Sequence, residues 1–287
     1  MEFTFHLPGP PLDAFVESIT CFSGYDPRHT RERLIPDGAA TLIVDLGDGP
    51  KRLFRGDYAA EHVAFRRAWI SGMQLKPIVI EAAPVSSLMV IRFQPGGAYP
   101  FLGHDLSALT NDVLAFDAVV GAAASSLRDR VLGPRGGPAR IAAAEAWLRE
   151  RLAGTAIHPA VAYIARRLHQ PGVRIGDVAE ETGLTSRHVL ALFRRWIGVT
   201  PKQYARVARF QHLLQALAHN APVDNNLEGR PLPHPDWAAV AADLCFSDQS
   251  HLSHEFAAFA GMTPGDYVSA YRGLANYLPI TVEADRM

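Results

Sequence analysis

Cysteine is nearly absent from this chain of 287 residues, in which Cys21 and Cys245 are the whole supply. Two cysteines cannot build a disulfide framework, which excludes the small stapled secreted domains and fits a reducing cytoplasm. No run of apolar residues approaches the length of a membrane span, so no membrane partner is expected. The opening stretch, MEFTFHLPGPPLDAF, has neither a basic segment nor an uninterrupted apolar one and does not read as a secretory signal. Gly-rich phosphate loops, nucleophile elbows and zinc-peptidase motifs are missing too. His251 and His254 have helical metal spacing, but no further Cys or carboxylate completes a set. The expectation is a cytoplasmic non-enzyme with no cofactor and no metal.

A net charge of −1 points to no partner, but its distribution does. Residues 158–219 carry nine basic and three acidic groups, net +6, whereas residues 220–287 carry three basic and nine acidic, net −6. A basic block is the electrostatic footprint of a polyanion if the fold gathers it on one face; otherwise it is a solvated helical surface. At 48% hydrophobic and 20% charged the chain can bury a sizeable core, and its length suits about two domains.

Residues 1–106 hold short apolar runs separated by Gly and Pro, such as ATLIVDLGDGP and KPIVIEAAPVSSLMVIRFQPGG, which read as strands. The spacing turns helical over 111–132 and again over 138–152, with GPRGGP between. After Thr155 everything reads as helix. The fold class is therefore α+β: a β-rich regulatory or dimerisation domain with C-terminal helices over 1–153, an all-α domain over 155–273, and a tail over 274–287.

One pattern occurs twice, GVTPKQY at 198–204 and GMTPGDY at 261–267. Gly stops a helix in the left-handed conformation, while Thr-Pro supplies an N-cap and a first-turn residue. Each copy is thus a hinge between two helices, and each follows a similar arrangement. In the first, Ala179 stands four residues before Gly183, then Thr185 opens a helix with Val189, Leu192, Phe193 and Trp196 on its apolar side. In the second, Ala241 stands four before Cys245, then Asp248 opens a helix with Leu252, Phe256 and Phe259 inward. A small residue on a short helix, a tight turn and a second amphipathic helix make a helix-turn-helix.

On these residues, positions 157–272 resemble the DNA-binding domain of the AraC/XylS family of transcriptional regulators, in which two such units are joined by a linker helix, here TPKQYARVARFQHLLQAL. The stretches RLIPDGAATLIVDLGD and VIRFQPGGAYPFLG resemble an N-terminal β-domain attached to such regulators. The resemblance implies a sequence-specific regulator that binds a double-stranded DNA operator, senses a small-molecule effector through its first domain, forms a homodimer, and meets RNA polymerase if it activates. Its base-contact positions fall here on Arg187, Leu190 and Ala191 in the first unit, and on Gln249, Ser250, Ser253 and His254 in the second. Arg187 has the fork for guanine, Gln249 the amide for adenine, and His254 a donor for a base or phosphate; Arg194, Arg195 and Lys202 suit backbone phosphates.

The sequence departs from the family pattern at Cys245, in the acidic second unit, and in the insertion HNAPVDNNLEGRPLPHPDW. In the β domain, Arg33, Asp37, Trp69, Arg92 and Tyr99 are candidates to line a small pocket. Two other readings stay open: a protein-interaction module with a weakened DNA-binding half, and an enzyme domain fused to a DNA-binding one.

Overall fold

The computed structural model describes residues 1–152, 156–219 and 232–280. In chain order the N-terminal part runs β1 (Glu2–His6), β2 (Val16–Tyr25), β3 (Arg31–Leu34), β4 (Thr41–Asp45), β5 (Lys51–Phe54), β6 (His62–Phe65), β7 (Ala68–Ser71), β8 (Ile78–Glu81) and β9 (Ser86–Phe93). It continues with α1 (Tyr99–Leu102), a 3-10 turn at Leu106–Leu109, β10 (Val113–Ala115), α2 (Phe116–Val120), α3 (Ala123–Leu132) and α4 (Gly137–Arg151). The helical part holds α5 (Pro159–Leu168), α6 (Ile175–Thr182), α7 (Ser186–Ile197), α8 (Pro201–His219), α9 (Trp237–Asp243), α10 (Gln249–Ala260) and α11 (Pro264–Ala270), and β11 (Tyr277–Ile280) closes it. The fold is α+β. No helix among the described residues is long and apolar enough to cross a membrane.

The strands form two antiparallel sheets, A in the order β1-β2-β9-β4-β7-β10 and B in the order β11-β3-β8-β5-β6. Sheet A is used on both faces, as its period-two alternation dictates. Leu42, Val44, Met89, Ile91 and Phe93 are buried in a core with Leu127, Ile141, Trp147 and Leu148 of α3 and α4. The intervening residues of β4 and β9 point the other way, toward sheet B.

Three segments differ from the sequence reading. Helix does not run unbroken from 111 to 132: Val113–Ala115 pairs with β7, and the helical part is split at Gly121, whose left-handed φ of +63° ends α2. Strands are not confined to residues 1–106. The segment read as a tail supplies β11, which pairs with β3 from Tyr277↔Leu34 to Ile280↔Arg31; the ladder uses β3's otherwise unpaired edge, which periodicity cannot reveal. Positions 220–231 of the Pro- and Asn-rich insertion and 281–287 of the tail lie outside the described residues.

The helical part does not stand apart from the sheets. Its core of Val161, Phe193, Phe210, Phe256 and Tyr267 also takes in Ile35, Met73 and Leu278, so one continuous apolar core crosses from the β part into the helices.

Candidate nucleic-acid interface and inner cavity

Helix α7 begins where Thr185 accepts from the His188 N–H at 3.2 Å and ends at Gly198 in the left-handed region. Val189, Leu192, Phe193 and Ile197 are buried. On the other side Arg187, Ala191 and Arg194 are exposed and Leu190 half-buried. Helix α10 repeats the plan: Asp248 accepts from the His251 N–H at 2.7 Å, Gly261 ends it, and Leu252, Phe256 and Phe259 are buried. Gln249, Ser250 and His254 are exposed and Ser253 is half-buried. His251 turns to Ser247 Oγ at 3.0 Å. Among the described residues no cluster of three His, Cys, Asp or Glu is spaced to hold a metal.

The turns before the two helices correspond as well. Ala179 and Ala241 are both buried at the helix crossings. Gly183 has φ +65° and Cys245 has φ +57°, so the cysteine occupies the left-handed conformation that the first unit gives to glycine. At the hinges Thr200 and Gln203 form a reciprocal capping box, the Thr200 N–H donating to Gln203 Oε1 at 2.9 Å and the Gln203 N–H to Thr200 Oγ1 at 3.2 Å. The second hinge keeps half of it, the Asp266 N–H donating to Thr263 Oγ1 at 3.2 Å.

Part of the basic block is engaged in contacts within the protein. Arg206 on α8 makes a bidentate pair with Glu255 on α10, at 2.8 and 2.7 Å, and Arg209 lies 3.9 Å from the same carboxylate. Burial pushes the Glu255 carboxyl up, but the Arg206 hydrogen bonds and charge outweigh it and hold it below its ordinary value. Arg167 pairs with Glu181, whose carboxyl is pulled down to about 2 by hydrogen bonds from Arg167 and then Tyr163. Arg195 donates to the Tyr99 hydroxyl at 2.6 Å and lies over its ring. Arg187, Arg194 and Lys202 make no ion pair among the described residues and stand exposed.

Between the sheets lies a cavity of about 520 Å³. Ile43, Leu88 and Val90 of sheet A face it, as do Leu34, Leu53, Ile78 and Ile80 of sheet B, and all are only half-buried. Sheets that meet face to face ordinarily interdigitate and bury such residues. Asp37, Trp69 and Arg92 line the cavity, and Arg92 pairs with Asp37 and with Glu17. Arg33 and Tyr99 do not line it. Arg33 points out of sheet B, pairs with Asp57 and donates to the Ala260 carbonyl at 3.4 Å. Tyr99 stacks on Trp196 at 4.2 Å between ring centres. The sequence reading missed Gln74, Lys51, Gln211 and Gln215, which also line the cavity, the last two from the linker helix α8. Strand alternation would have selected Lys51; nothing local marks the helix residues.

The two helix-turn-helix units rest on different sheets. Tyr99, Thr110 and the Leu106–Leu109 turn, which lie between β9 and β10 of sheet A, hold the end of α7, with Thr110 Oγ1 donating to the Gly198 carbonyl at 2.5 Å. Arg33 of β3 and Pro77 beside β8, both of sheet B, hold the end of α10.

Residues 4–115 match the model of a family described as a domain of unknown function, DUF6597. No curated protein matches the chain. Among solved structures the chain is similar to ToxT from Vibrio cholerae, with 11% identity and a TM-score of 0.43 over 93% of this chain and 98% of that one. It is also similar to unsaturated fatty acid bound ToxT from Vibrio cholerae strain SCE256, with 10% identity and a TM-score of 0.44 over 89% and 96%. For the AraC-like transcriptional activator CuxR the values are 15% and 0.26, over 76% and 87%.

Proposed function

We propose that this chain is a one-component transcription regulator of the AraC/XylS type, which binds a double-stranded DNA operator through α7 and α10 and takes a small-molecule effector in the cavity between its sheets. The observation that carries the reading is the doubled unit: two capped helices, each preceded by a left-handed turn, closed by a Gly-x-Thr-Pro-x-x-Tyr hinge and presenting an exposed polar face. A recognition helix enters the major groove with such a face. Arg187 reads base edges from the first, with Arg194 and Lys202 on phosphates, and Gln249, Ser250 and His254 read from the second. Arg195 joins the phosphate contacts only when released from Tyr99.

An effector between the sheets has a direct route to DNA. The first unit leans on sheet A, the second on sheet B, and the linker helix closes the cavity through Gln211 and Gln215. A molecule that widens the slot moves one unit relative to the other. In this reading the protein works in the cytoplasm, as a homodimer where the operator is repeated, and meets RNA polymerase where it activates.

The test is binding of the full chain to labelled duplex DNA at low salt, followed by anisotropy. The reading expects saturable binding that the Arg187→Ala/Arg194→Ala double substitution abolishes without unfolding the protein. Absence of binding, or binding indifferent to both substitutions, would favour an interaction module.

A further inference from the structure

Strand β1 ends sheet A, and its outer edge has no strand beside it among the described residues. Natural sheets blunt such an edge with a lysine, a proline or a bulge. β1 has none of the three: its sequence is EFTFH, and it pairs with β2 without a register shift from Glu2↔Ser23 to His6↔Ile19. Alternation divides its side chains between two faces. Thr4 and His6 turn toward α4, where Gly137 approaches so closely that a Cβ on it would overlap Thr4 Oγ1, and His6 Nε2 lies 3.1 Å from Glu145 Oε1. Phe3 and Phe5 turn the other way and are 61% and 56% exposed. Met1 and Leu7, which continue the alternation, are exposed as well.

An exposed row of large apolar side chains beside open backbone groups marks an interaction surface. The order of the residues says what it fits, because MEFTFHL complements itself in reverse. When β1 is laid antiparallel against a second β1 with Thr4 opposite Thr4, Phe3 falls opposite Phe5, Glu2 opposite His6 and Met1 opposite Leu7. Directly opposed residues share a face of the sheet, so the aromatic pairs meet on one face and the acid meets the imidazole on the other. Both polar groups have capacity to spare: Glu2 makes no ion pair among the described residues, and His6 Nδ1 makes no hydrogen bond among them. Other registers lose this match. Slipping by one residue sets Glu2 against Phe5 or Leu7, and centring on Phe3 or Phe5 sets it against Thr4 or Pro8.

Resting on the homodimer of the proposed function, we infer that two copies of this chain join edge to edge through β1, antiparallel and in register about Thr4. Phe3 packs on Phe5 of the partner subunit, and Glu2 accepts from His6 of the partner subunit. The contact is its own complement, as a two-fold axis requires, and the two six-stranded sheets run on as one across it. A ladder this short makes a weak, concentration-dependent dimer rather than a permanent one.

Sedimentation velocity of the full chain over a range of concentrations, free and bound to duplex DNA, reads the dimer. Phe3→Lys/Phe5→Lys sets like charges against each other and raises the dissociation constant at least about tenfold, while circular dichroism shows the fold kept. Cross-linking reads the register. Opposed Cα atoms lie about 4.5–5.5 Å apart, within disulfide reach, so Thr4→Cys joins two copies on oxidation. Glu2→Cys does not, because its counterpart is four residues out of step, about 13 Å away. Mass spectrometry of the linked peptide separates this bond from any made by Cys245, which is exposed. If the dimer persists in the lysine variant, or Thr4→Cys gives no link where a dimer is present, the β1 interface is wrong while the homodimer stands. A chain that stays monomeric at every concentration, with and without DNA, overturns both.

Discussion

Tyr204 of the first hinge stands edge-on to Phe193 of the recognition helix before it, with ring centres 5.7 Å apart. Sixty-three residues later Tyr267 stands in the same relation to Phe256, at 5.3 Å. The repeated seven-residue pattern thus has a packing role in addition to its turn: the tyrosine at its end locks the bracing helix onto the helix that reads. Phe210 of the linker helix then meets Phe256 and Phe259 at 5.3 and 5.1 Å, which joins the two units into one apolar core.

Phe193 and Phe256 are fully buried at the centre of that core. Replacing either by Ala should cost about 3–5 kcal/mol through the cavity left behind. Chemical denaturation followed by circular dichroism checks this. A midpoint unmoved by Phe193→Ala would mean that the hinge tyrosine does not depend on it.

Gly198 should be far less tolerant than Gly183, although both are left-handed. A Cβ at Gly198 would stand 2.8 Å from the Leu106 carbonyl oxygen and 3.2 Å from Thr110 Oγ1, whereas one at Gly183 meets nothing within 4 Å. Gly183→Ala should show backbone strain alone, about 1–2 kcal/mol. Gly198→Ala adds a clash with backbone and should push the first unit off sheet A, seen as a larger loss of stability and as faster hydrogen exchange around Thr110.

Glu255 makes stability depend on pH in a definite direction. Its folded carboxyl lies below the ordinary value, so the pair with Arg206 contributes fully above the unfolded pKa of about 4.3 and is lost as pH falls through the depressed folded value. Stability measured from pH 6 downward should fall less steeply in Glu255→Gln than in the parent. The same substitution frees Arg206 and Arg209, so binding to random duplex DNA should tighten at low salt and its salt dependence steepen.

What was legible in the sequence is what depends on near neighbours. Thr185, Asp248, Thr200 and Thr263 cap the helices they were expected to open, because capping involves residues two or three apart. The buried faces of α7 and α10 followed from helical period. Contacts between distant segments left no such trace. Arg195 was read as a phosphate contact and Tyr99 as a pocket residue, yet they meet each other across 96 positions. Arg206 and Arg209 counted toward a net charge that the single Glu255 carboxylate offsets in part, in place. Asp37, Trp69 and Arg92 came together at the cavity while Arg33 turned outward, since neighbouring strand residues point to opposite faces.

The central claim is that one chain carries two DNA-reading helices that work together, and selection of bound duplexes from a random pool tests it most directly. The account predicts enriched sequences with two preferred blocks about 10 base pairs apart, centre to centre, one helical turn of DNA. Arg187→Ala should blur one block, and Gln249→Ala with His254→Ala the other. A single enriched block that either Arg187→Ala or the Gln249→Ala/His254→Ala pair leaves unaffected, or no enrichment at all, would contradict it.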